Sequence, residues 1–80
     1  MHGDLRPRKR SLTLHGHRTS VSLEEPFWQA LTQIAEARGQ SINSLVAEID
    51  EARGLKSGLA SAIRVFVLAE AQSGAGLADN

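Results

Sequence analysis

Apolar and polar positions change period twice along this chain, and those changes define its elements. Val21 and Leu23 alternate with Ser20 and Ser22, the period-two pattern of a half-buried strand. Leu12 and Leu14 alternate in the same way within Ser11 to His15. From Pro26 the spacing becomes helical. Phe27, Leu31, Ile34 and Ala35 fall on one stripe with Trp28 at its border, and Arg38 followed by Gly39 supplies a cation and a left-handed C-cap. Glu25, held extended by the proline that follows it, is the expected N-cap. Ser41 is the strongest helix-capping residue and precedes Ile42, Leu45, Val46 and Ile49, which predicts a second helix over about 42–53 stopped by Gly54. A third helix is expected over about 59–72, with Ser57 as a candidate cap. It carries Leu59, Ile63, Phe66 and Val67 on one face and Val65 and Leu68 on another, the pattern of a helix buried between two surfaces.

The two strand-like segments are out of phase, with apolar positions even in the first and odd in the second. An uninterrupted strand would turn them to opposite faces, so His15-Gly16-His17 must be a turn, bulge or kink, with Gly16 able to take a positive φ. A short strand needs a partner before a sheet is stable in water. The two sources are a second copy of the chain and the segment just upstream, and the second copy is favoured, because a chain of 80 residues buries only roughly 60% of its unfolded surface.

Charge adds a direction to this pattern. The net charge is zero, yet residues 1–20 carry five cations against Asp4 and the remainder carries four cations against eight carboxylates. A basic N-terminal side would meet a polyanion first. Residues 1–10, with Gly3, Pro7 and four cations, are expected to be a flexible arm, residues 11–72 the domain and residues 73–80 a frayed tail. The absence of cysteine excludes disulfides and thiolate metal sites and is compatible with a reducing cytosol. The apolar run from Ile63 to Ala71 contains Arg64 and Glu70 and is far shorter than the ~20 residues a membrane span needs. No nucleophile elbow, phosphate loop or paired-carboxylate spacing occurs, so neither an enzyme nor a cofactor is expected. His15 and His17 have no local carboxylate or cysteine to complete a metal site. Asp50, Arg53 and Arg64 are candidates for an ion-paired contact between the second and third helices.

The order strand, P-F-W helix ending in A-R-G, then Q-S-I-N-S opening a second helix, resembles the ribbon-helix-helix superfamily of MetJ/Arc-type DNA-binding proteins over about 18–53. The fuller pattern, R-S-L-T-L-H-G-H-R-T-S-V-S-L-E with a later L-A-S-A-I-R-V-F-V-L, looks like a small bacterial subfamily described only as a ribbon-helix-helix domain. The resemblance implies a mainly α fold with a short N-terminal β-ribbon, a ribbon-helix-helix dimer to which a third C-terminal helix is added. It implies a homodimer through paired strands and helices, with the ribbon in the major groove of double-stranded DNA, and hence a sequence-specific transcription regulator, a repressor, in the cytoplasm and on the nucleoid when bound. Carried onto this sequence, Arg18, Ser20 and Ser22 would contact bases. Ser41, Ile42 and Asn43, at the start of the second helix, would contact phosphate together with Arg8, Lys9 and Arg10 of the arm.

Against base reading stand Glu24, which continues the outward parity of the strand and would repel phosphate unless withdrawn into the helix cap, the shortness of Ser20 and Ser22, and the acidic body. These motivate the alternative of a dimeric module that keeps the fold without binding DNA and docks a protein partner on its third helix.

Overall fold

The computed structural model describes residues 6–53 and 58–75; the readings made above for Gly54 and for the extreme ends of the chain lie outside them, and the N-cap of the third helix is Gly58, not Ser57. Two strands, β1 (Arg8–Leu14) and β2 (His17–Leu23), precede three helices, α1 (Glu25–Arg38), α2 (Ile42–Arg53) and α3 (Leu59–Glu70), and a π turn over Ala71–Ala75. A two-stranded ribbon followed by a mostly helical body, with a third helix at the C-terminal side, is the expected fold class.

β1 and β2 pair antiparallel within the chain, from Arg8 opposite Leu23 to Leu14 opposite His17. This corrects the expectation that a second copy supplies the partner strand. The loop between them is only His15-Gly16, both with positive φ (54° and 80°), the conformation of a I′ hairpin turn whose twist matches that of paired strands. The register pairs even positions of β1 with odd positions of β2, so the change of phase that breaks a single strand is what brings Leu12, Leu14, Val21 and Leu23 to one face of a hairpin. The upstream segment has matching leucines and is tethered a few residues away, so closing the pair costs little loop entropy and no encounter with another chain. The flexible arm is corrected at its inner end for the same reason: Arg8, Lys9 and Arg10 belong to β1.

The inner face of the hairpin lies on the helices, β1 against α2 and β2 against α3. Leu31 and Ala35 of α1, Leu45, Val46 and Ile49 of α2, and Ile63 and Val67 of α3 complete one core with the four strand residues. α1 ends as its sequence indicates. Gly39 takes φ 69°, its N–H donates to the Glu36 carbonyl and Gln40 donates to that of Ala35, a Schellman closure. α1 starts one residue early, however, and Glu24 rather than Glu25 is its N-cap. α3 departs further from expectation: Val65 and Leu68 are 66% and 54% exposed, so in the single chain this helix buries one face only.

Charged side chains fasten the pieces. Arg64 of α3 donates from Nε and Nη2 to the two carboxylate oxygens of Glu24 at 2.8 and 3.0 Å, and its guanidinium lies 5.9 Å from the centre of the Phe27 ring. Arg64 therefore does not join Asp50 and Arg53; those two pair within α2 at 2.7 Å, because α3 runs beside the β2–α1 junction and brings Arg64 to Glu24 instead. Arg38 near the end of α1 bonds Glu70 of α3 at 2.9 Å. Hydrogen bonds from Arg64 hold the Glu24 carboxyl below its ordinary pKa. A folded-state pKa below the unfolded one means that the fork stabilises the fold above the ordinary carboxylate range, and that this contribution is lost as pH falls through the depressed value. In denaturant titrations from neutral to acidic pH, Glu24→Gln is expected to be less stable than the parent at pH 7 and to flatten the acid limb of the profile.

Candidate nucleic-acid interface

A two-stranded ribbon has one face for the core and one left over. Here the outward side chains are Lys9, Ser11 and Thr13 on β1 and Arg18, Ser20 and Ser22 on β2, all exposed. Lys9 stands opposite Ser22, Ser11 opposite Ser20, and Thr13 opposite Arg18. The face carries two cations, four hydroxyls and no carboxylate, and among the described residues neither Lys9 nor Arg18 has an anionic partner. Hydroxyls both donate and accept, and Arg and Lys donate, so this surface can address base edges and phosphate oxygens alike. Strands lie ~4.8 Å apart, and a ribbon of two fits a major groove ~12 Å wide.

The start of α2 adjoins this face. The Ser41 hydroxyl accepts the N–H of Ser44 at 3.0 Å, the expected N-cap bond, which leaves the N–H groups of Ile42 and Asn43 pointing out of the first turn without an acceptor among the described residues. Asn43 Oδ1 in turn accepts the Thr13 backbone N–H at 3.3 Å, tying the outer edge of β1 to the helix start. Between them opens a polar cleft of ≈ 170 Å³ lined by Ser11, Leu12, Thr13, Arg18 and Asn43. A cation, side-chain amide and hydroxyl donors, and the positive end of a helix dipole converge there, an arrangement suited to a phosphate oxygen.

The residues expected to contact DNA divide between two places. Arg18, Ser20, Ser22 and Lys9 share the outer face, and Asn43 is brought to Arg18 across the cleft. Arg8 and Arg10 instead share the inward parity. Arg10 bonds Glu25 and stacks over Trp28 at 4.8 Å, and Arg8 stands 3.9 Å from Glu25. The charge of these two is spent on α1. Glu24, which would have repelled phosphate as a strand residue, is drawn out of the ribbon face into the α1 cap and the Arg64 fork. Ser11 and Thr13, which with His15 are by sequence only the next candidates after Arg18 and Ser20, join this outer face, whereas His15 lies in the turn. The shift of apolar phase at His15-Gly16, read as a two-residue turn, carries the information that puts them beside Ser20 and Arg18.

Among the described residues no three His, Asp or Glu side chains are arranged to hold a metal ion, and no helix is long and apolar enough to cross a membrane. His15 Nε2 approaches Asp50 and Glu51 at 3.9 and 3.7 Å, linking the hairpin turn to the end of α2. Neither the curated proteins nor the solved structures give a match to this sequence. A family model described as a ribbon-helix-helix domain matches residues 7–71, a span that takes in both strands and all three helices. The chain therefore belongs to the ribbon-helix-helix domain family, whose members are in general DNA-binding transcription regulators.

Proposed function

We propose that this protein is a sequence-specific double-stranded DNA-binding regulator, a bacterial repressor acting in the cytoplasm on the nucleoid, which lays the outer face of its ribbon in the major groove. The observation that carries this reading is the face itself: Lys9 and Arg18 stand among hydroxyls with no anionic partner among the described residues, while Glu24 and Glu25 are turned to Arg64 and Arg10. Arg18, Ser20 and Ser22 are the base-contacting residues, and Ser41, Ile42 and Asn43 anchor a phosphate beside them. Arg8 and Arg10, turned to Glu25, contribute less to phosphate binding than Lys9. Fluorescence anisotropy of a labelled duplex tests the reading. With two cations on each ribbon face, affinity is expected to fall about tenfold per ribbon engaged between 50 and 200 mM salt. No binding at micromolar protein in low salt would sink it.

The homodimer belongs to this reading, with its contact moved from the strands to α3. Both charged residues of α3 are engaged inside the chain, Arg64 with Glu24 and Glu70 with Arg38, while its exposed positions Ser61, Val65, Leu68 and Ala69 are all uncharged. An uncharged face meets its own two-fold copy without like-charge repulsion, which suits an isologous contact. The double variant Val65→Asp, Leu68→Asp is expected to sediment as a monomer with an unchanged circular dichroism spectrum. If the parent is already monomeric at tens of micromolar, α3 is the surface left for another protein, and the alternative of an interaction module gains.

A further inference from the structure

The hairpin contains a repeat that its register turns into symmetry. Residues 8–14, R-K-R-S-L-T-L, align with residues 17–23, H-R-T-S-V-S-L, at an offset of nine. An antiparallel ribbon has a two-fold axis normal to its plane, and in this register the axis passes between Ser11 and Ser20, which stand opposite each other. Rotation about it exchanges Lys9 with Arg18, Ser11 with Ser20 and Thr13 with Ser22 on the outer face. It exchanges Leu12 with Val21 and Leu14 with Leu23 on the inner face. Cation replaces cation, hydroxyl replaces hydroxyl, and buried aliphatic replaces buried aliphatic. The largest departure, Arg10 against Thr19, lies on the inner face, where Arg10 is held by Glu25 and Trp28.

We infer that one chain carries a complete, quasi-two-fold groove-reading ribbon, so that the DNA element beneath it is a near-palindrome, one half under the ribbon end that holds Lys9 and Ser22 and the other under the end that holds Arg18 and Thr13. The inference rests on the proposal that the outer face meets DNA, and it adds a reader to each side. Lys9 is the counterpart of Arg18 and faces bases in the half that Arg18 does not touch, Thr13 is the counterpart of Ser22 and joins Arg18 in its half, and Ser11 and Ser20 stand together at the dyad. In a ribbon made of two chains the strands are identical, every residue acts twice, and β1 reads nothing. The single-chain ribbon separates these roles, because each reading side chain occurs once per element.

That separation is measurable. Bound sequences are selected from a pool of randomised duplexes with the full chain and with Lys9→Ala and Arg18→Ala, each checked for an unchanged circular dichroism spectrum, which these exposed positions permit. The parent is expected to return a motif with approximate dyad symmetry. Each variant is expected to lose roughly 5- to 150-fold discrimination at a position in one half only of the element beneath each ribbon, and the two variants in opposite halves of that element. A motif in which Arg18→Ala relaxes both halves together, with Lys9→Ala silent, would overturn the single-chain ribbon and leave DNA binding standing. A motif unchanged by both substitutions would overturn it as well. If the parent enriches nothing, the DNA reading falls and this inference falls with it.

Discussion

Leu23→Ala is expected to leave the protein largely unfolded at moderate temperature. Leu23 is fully buried at the last position of β2, one residue before the α1 cap, and its side chain is where the hairpin and the helical body share a core. Truncating a buried leucine to alanine removes transfer free energy and leaves a cavity, together about 2–5 kcal/mol. A domain of this size has a total stability of roughly 4–12 kcal/mol. One substitution thus takes a large fraction of the whole, and the thermal midpoint, followed by circular dichroism, is expected to fall by about 10 °C or more. A shift of a degree or two would mean that the ribbon is not integrated with the helices as the core implies. Val21→Ala, a smaller cavity further from the junction, is expected to do the same to a lesser degree.

Arg18→Ala is expected to weaken DNA binding by roughly 5- to 150-fold, the range for losing one well-placed arginine at a base edge. Two features of its placement bear on its size. Arg18 faces Thr13 across the ribbon and lines the cleft that Asn43 closes, so its guanidinium has both a base edge and a phosphate within the reach of one site. It also carries half of the unpaired positive charge on the outer face, the other half being Lys9. Removing it should therefore change two readouts together: affinity for the selected element falls, and the salt slope becomes shallower by about one unit. A loss of affinity with the slope unchanged would identify Arg18 as a reader of bases with no phosphate contact. An unchanged affinity would remove it from the interface. Fold stability is not expected to move, since the side chain is exposed.

Much of this was written locally. Gly39 and Ser41 mark the helix ends that the structure has, because a left-handed cap and a hydroxyl cap are chosen by the backbone within a few residues. The alternation of Leu12, Leu14, Val21 and Leu23 predicts the strands and their inner face. It does not say which chain supplies the partner, since a strand from either source would present the same stripe to the same helices. What escaped was long-range. Arg64 finds Glu24 forty residues away. Arg10 finds Glu25 and Trp28 across the ribbon–helix junction. Neither pairing has a local signature, and both bear on function, because the first withdraws the Glu24 carboxylate from the face on which Lys9 and Arg18 stand and the second holds Arg10 on the inner side. A count of charges along the chain reports an acidic body behind a basic arm. The folded chain spends two of the arm's arginines on Glu25, and among the described residues its ribbon face carries no anion.

The His15-Gly16 turn also governs how the outer ribbon face comes into being. A ribbon closed by two residues forms on the microsecond scale of hairpins, from contacts near in sequence, at a rate that does not depend on how many copies of the protein are present. Strands recruited from separate chains assemble by encounter and come apart on dilution. In a cell holding a handful of copies, each molecule of this protein would emerge from synthesis with its outer ribbon face already built, and scarcity would limit how often DNA is found without limiting whether the ribbon exists.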